Sequence, residues 1–114
     1  RGLGKSDPRA AHPPPPTLQR PWATPPIRDA VGKDIEVWMD GGIRSGQDVL
    51  KAWALGARGT MIGRSFLYGL GAMGGPGVTK CLEIIHKELD LTMAFTGHRD
   101  IHNVTNDILV PGTY

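Results

Sequence analysis

The sequence predicts an α/β chain in which short parallel strands alternate with helices, and it predicts only a portion of such a fold. Three observations carry this. Strand-like apolar runs at residues 35–39 (IEVWM) and 59–63 (GTMIG) flank a stretch with helical periodicity. Two further helical stretches follow, and the order β-α-β-α-α is that of parallel-sheet α/β proteins. Finally, two strands cannot bury both faces of a parallel sheet, so these elements are expected to be the end of something larger.

The elements follow in chain order. Residues 1–26 hold eight of the ten prolines, including the run at 13–16, and show neither helical nor strand periodicity. This head is expected to be disordered or misassigned, with ordered structure over residues 27–114. "PPIRDAV" at residues 25–31 reads as a short helix opening on proline, which suits a first helical turn. After the strand at 35–39, Ser45 is placed to cap a helix, with Asp48 three residues on at capping-box spacing. Val49, Leu50 and Trp53 line one face of that helix, and Gly56 is placed to end it. A shorter helix at 65–70 follows the second strand. Pro76 then opens a long helix in which Val78, Cys81, Leu82, Ile85 and Leu89 recur at helical spacing. Gly97 is its stop, and Asp100 caps a last turn. Trp38, Trp53 and Phe66 are assigned to the core, and Trp22 to the surface.

Composition narrows the functional classes. The 114 residues carry a net charge of +2. Residues 1–33 hold six Lys/Arg against two Asp, while residues 34–114 hold seven against nine Asp/Glu. The folded part is therefore mildly acidic, which argues against nucleic acid as a partner. Cys81 is the single cysteine, so no internal disulfide forms and a reducing, cytoplasmic setting is expected. It falls on an apolar helix face, where a packed thiol is the stronger reading. No apolar run approaches transmembrane length, and no secretory signal pattern is present.

The chemistry is concentrated in "MDGGIRSGQDVLKAWALGARGTMIGR", residues 39–64. It contains two glycine turns, each with an arginine: Gly41-Gly42 with Arg44, and Gly63 with Arg64. Each follows a strand and precedes a helix. Glycine lets backbone N–H groups approach phosphate oxygens, and helix N-termini add partial positive charge. A guanidinium holds phosphate oxygens bidentately. In a (β/α)₈ barrel the loops after the seventh and eighth strands commonly form such a phosphate site. The predicted fold is thus α/β, the C-terminal βαβα portion of a TIM (β/α)₈ barrel, incomplete.

"DGGIRSGQDVLKAWALGARGTMIGRSFLYGL" closely resembles the end of the barrel in FMN-dependent 2-hydroxy-acid dehydrogenases and oxidases. "TMAFTGHRDIHNVTNDILV" resembles that family's closing segment, so the likeness runs from about residue 26 to residue 114. The resemblance implies FMN as cofactor, with its ribityl chain and phosphate held by Asp40, Gly41, Gly42, Arg44, Gly63 and Arg64. It also implies oxidation of a small 2-hydroxy acid, L-lactate foremost, to the 2-oxo acid. A homo-oligomeric parent and peripheral association of that parent with a membrane are consistent with it. IMP dehydrogenase and flavin-dependent isopentenyl diphosphate isomerase share a similar glycine turn, but "IGRSFLYGL" and "TGHRDI" fit the hydroxy-acid family better.

In that family the histidine base and a carboxylate-binding arginine sit in a His-Gly-Gly/Ala-Arg motif one βα unit upstream. Here that region reads "RGLGKSDPRAAHPPPPTLQRPWATPP", with no such motif. His12 runs into four prolines and is a poor base, with Arg9 its nearest arginine. His86, His98 and His102 read as solvated, and no metal site is expected. No catalytic residue is therefore assigned. The second expectation, from a different class, is a non-catalytic remnant that does not retain flavin.

Overall fold

The computed structural model describes residues 16–111, with side chains described from Thr24 onward. The chain runs through helix α1 (Pro16–Val31), strand β1 (Trp38–Asp40), helix α2 (Gly46–Ala54), strand β2 (Gly59–Met61), helix α3 (Arg64–Met73) and helix α4 (Gly75–Phe95). Two 3₁₀ turns, Ile101–Asn103 and Asn106–Ile108, complete it.

β1 and β2 pair in parallel, with Trp38 opposite Gly59, Met39 opposite Thr60 and Asp40 opposite Met61. The pairing is shorter than the apolar runs suggest. It begins where the Arg58 N–H reaches the Val37 carbonyl at 2.8 Å, so Ile35 lies outside it and is exposed. Side chains alternate across a strand. Val37 and Met39 point to the covered side and are buried, and Met39 joins Ile43, Ala52 and Ala57 in the core, with Val49 and Ile62 against them. The other side is bare. Trp38 is 57 % exposed and Met61 47 %, so Trp38 is corrected from core to surface. The physical reason is that helices cover one face of this sheet and nothing among the described residues covers the other.

α2 forms where the capping signals place it. The Ser45 hydroxyl accepts the Asp48 N–H at 3.3 Å, and the helix ends at Leu55 with Gly56 at φ +111°. α4 carries Pro76 in its first turn and ends at Thr96, next to Gly97. α3 and α4 cross where a Cβ on Gly77 would collide with the Gly69 carbonyl, so the two backbones touch. Asp100 caps the first 3₁₀ turn by accepting the His102 N–H at 2.9 Å.

A second sequence expectation is corrected. α1 begins at Pro16 rather than Pro25, so residues 16–26 are helical, not disordered, and the expected boundary at residue 26 falls within a helix. Interior prolines remove helical hydrogen bonds, and the segment has no apolar stripe to announce it. Its order comes from tertiary packing: α1 lies against β1 and α2, and Thr24 is buried. Residues 1–15, with Arg9 and His12, lie outside the described residues, as does the side chain of Trp22.

Candidate functional site

Both glycine turns leave the carboxyl edge of the two-stranded sheet. Asp40 ends β1 and sits opposite Met61, which ends β2. The chain then turns sharply. Gly41 and Gly42 have φ of 90° and 79°, a region that costs any residue with a Cβ. After β2, Gly63 occupies the N-cap of α3 and Arg64 is its first residue. Arg44 and Arg64 are both exposed.

The two turns are fastened to each other. The Ser65 hydroxyl donates to the Ile43 carbonyl at 3.3 Å, and these residues adjoin Arg64 and Arg44. A chain separation of 22 residues is thereby closed at the sheet edge. Arg44 and Ser65 also line a cavity of about 280 Å³ that runs between α3 and α4 past Gly69, Met73 and Lys80. Arg64 does not line it, so the six predicted residues share an edge rather than one cavity.

The two helix ends at this edge differ. At α2 the Gly46 N–H donates to Glu88 Oε2 at 2.9 Å, and the Arg44 N–H donates to Asp48 Oδ2 at 3.0 Å. With the Ser45 hydroxyl accepting the Asp48 N–H, three side chains answer the donors around that end. Among the described residues α3 is bare: Gly63 supplies no side-chain cap and its first turn holds no acidic residue. The N–H groups of a helix's first turn lack partners within the helix. Beside Gly63 there is open space, with nothing within 4 Å of where a Cβ would stand. A helix N-terminus with Arg64 in its first turn, and Arg44 on the loop fastened beside it, offers donors of the kind that phosphate oxygens accept from. The residues present thus fit a phosphorylated cofactor.

The sequence missed two parts of this arrangement. Ser65 carried a signal, since a hydroxyl one residue beyond Arg64 is placed to bridge loops. Glu88 carried none, because 42 residues separate it from Gly46. The described histidines lie elsewhere. His86 is exposed, and His98 Nδ1 lies 3.4 Å from the Thr96 hydroxyl. His102 is exposed but engaged: Nδ1 lies 2.8 Å from Asp100 Oδ1, and its ring meets Trp53 edge-on at 5.4 Å. The backbone N–H of His102, and then its ring, hold the Asp100 carboxyl below the usual aspartate range. Arg58 covers the Trp53 ring at 4.3 Å. Among the described residues no three His, Cys, Asp or Glu side chains gather as metal ligands.

Comparison with known proteins settles the ancestry of this edge. Residues 16–111 match the family described as FMN-dependent dehydrogenase. The chain belongs to that family. It is 51 % identical over 87 residues to the L-lactate dehydrogenase of Caulobacter vibrioides strain NA1000, covering 76 % of this chain and 23 % of that protein. It is also 51 % identical over 90 residues to the pre-mycofactocin synthase of Mycolicibacterium smegmatis, covering 78 % and 23 %. Among solved structures, a mandelate oxidase Y128F variant carrying a monooxide FMN adduct superposes with a TM-score of 0.72 at 38 % identity, covering 75 % of this chain and 27 % of that one. The chain therefore spans about a quarter of the length of the relatives it matches. The family's cofactor is FMN, and its members are oxidoreductases, as the resemblance implied.

Proposed function

We propose that this chain is the phosphate- and ribityl-gripping end of a family barrel that oxidises an L-2-hydroxy acid, L-lactate foremost. One observation carries the reading furthest: the Ser65–Ile43 hydrogen bond sets two glycine–arginine turns side by side at the carboxyl edge of a parallel sheet. In (β/α)₈ barrels that edge carries the active site. Bound FMN would supply the acceptor for the hydride equivalent that leaves the hydroxy acid.

The residues of this chain do the holding. Arg64 and the first-turn N–H groups of α3 face the phosphate, and Arg44 adds a second guanidinium from its fastened turn. Gly41, Gly42 and Gly63 keep the approach free of side chains, and Asp40 takes ribityl hydroxyls. Each charge-assisted hydrogen bond of this kind is worth roughly 1.5–3 kcal/mol. All six of these residues lie within residues 27–114.

The 114 residues hold no His-Gly-x-Arg motif, so proton abstraction and substrate-carboxylate binding belong to residues outside this sequence. The chain on its own is accordingly a holder without turnover. A parent that self-associates or rests on a membrane surface fits the same reading; no helix among the described residues is long and apolar enough to cross a membrane.

The direct test is a chimaera in which residues 27–114 replace the matching stretch of the Caulobacter vibrioides L-lactate dehydrogenase. It is expected to purify with FMN at near one-to-one stoichiometry and to oxidise L-lactate. A folded chimaera that cannot be loaded with FMN would refute the grip. One that loads but ignores lactate would refute the substrate.

A further inference from the structure

One carboxylate reaches this edge from far along the chain. Glu88 lies on α4, yet its Oε2 takes the N–H of Gly46 in a part-buried hydrogen bond. The approach is close. A Cβ on Gly46 would collide with the backbone of Ile85, Glu88 and Leu89, so the start of α2 is pressed onto α4. Gly46 itself is buried. The same short segment is held from two other directions, by Asp48 at the Arg44 N–H and by Ser65 at the Ile43 carbonyl.

We propose that Glu88 is a positioning residue for the phosphate grip: it caps α2 from another helix, fixes the turn that carries Arg44, and closes that helix end to outside anions. The inference rests on the phosphate reading above. Its physical content is a choice between two helix ends. Both offer partial positive charge, but the end of α2 already has carboxylates on its donors and the end of α3 has none. A second anion at Gly46 would have to displace Glu88 and accept repulsion from Asp48. Phosphate is thereby directed to Arg64 and the first turn of α3, beside the loop that carries Arg44.

The test uses the full ¹⁵N-labelled chain titrated with inorganic phosphate at constant ionic strength, following the amide signals of Gly46 and of residues 64–66. In the unaltered chain, residues 64–66 should shift while Gly46 stays silent. Glu88→Ala should make Gly46 respond and weaken phosphate at residues 64–66 by about fivefold, the loss expected for a missing helix cap. Glu88→Gln, whose carbonyl can still accept the N–H, should keep Gly46 silent and stay within about twofold of the parent. A cap with only a structural role would not open a new anion site in Glu88→Ala alone. Gly46 responding in the unaltered chain as strongly as residues 64–66, or staying silent in a well-dispersed Glu88→Ala spectrum, would overturn the proposal. Should Glu88→Ala fail to fold, a response of Gly46 in the unaltered chain or in Glu88→Gln would still overturn the proposal. Silence at residues 64–66 in the unaltered chain would instead count against the phosphate reading, while the Gly46 comparison continued to judge Glu88.

Discussion

The hydroxyl of Ser65 donates a hydrogen bond to the carbonyl of Ile43 at 3.3 Å, joining the loop after one strand to the loop after the next. Each loop alone is a glycine turn with an arginine. Joined, they set two exposed arginines and the N-terminus of α3 along one edge. Ser65→Ala removes the bond and leaves the Ile43 carbonyl half-buried without it. In the lactate dehydrogenase chimaera this should weaken FMN binding by roughly three- to tenfold, the worth of about 1 kcal/mol. Flavin fluorescence titration reads the change, and an unchanged affinity would show that the two turns hold their places independently.

The arginines should separate cofactor binding from substrate binding. Arg64→Ala in the chimaera should weaken FMN by roughly 10- to 100-fold, from the loss of 1.5–3 kcal/mol of charge-assisted bonding. KM for lactate in the FMN-saturated enzyme should move by less than about twofold, since uniform binding of a different ligand is lost. Equal losses in both would argue that Arg64 touches the substrate.

The 114-residue chain alone should not carry yellow flavin through gel filtration. A phosphate grip of a few hydrogen bonds gives affinity far below that needed to survive dilution. Absorbance near the flavin band in the protein peak, at close to one flavin per chain, would contradict this.

Gly42 sits at φ 79°, where an added Cβ is strained. Gly42→Ala should destabilise the fold by about 1 kcal/mol or more, measured as a lower urea midpoint with the slope unchanged. It should also lower phosphate affinity, because the turn must reshape.

Asp100 supplies a pH dependence whose sign is fixed. Its carboxyl is held below the ordinary aspartate value by the His102 N–H and ring, so the folded state favours the charged form. The contribution is fully present above the ordinary aspartate pKa of 3.8 and fades as pH falls through the lower folded value. The protection factor of the His102 amide, exchange relative to its intrinsic rate at each pH, should fall in that acid range. Asp100→Asn should abolish this acid dependence while His102 still abuts Trp53.

Local chemistry determined most of the secondary structure and all six candidate residues. Ser45 and Asp48 announced α2, Gly56 its end, Pro76 the start of α4, and the two glycine–arginine turns their own positions, because caps, turns and breakers act within a few residues. The proline-rich head misled for the same reason. Helix α1 has neither stripe nor cap to read, and it holds its shape through packing against β1 and α2. Trp38 misled in the opposite way, since an aromatic in an apolar run reads as core whether or not anything covers it. What only the tertiary structure decided is which distant groups meet: Ser65 with Ile43, Glu88 with Gly46, and His102 with Trp53. Those pairings depend on how α3, α4 and the closing turn fold back over the sheet edge, and a hydrogen bond between residues 42 apart leaves no trace in spacing or composition.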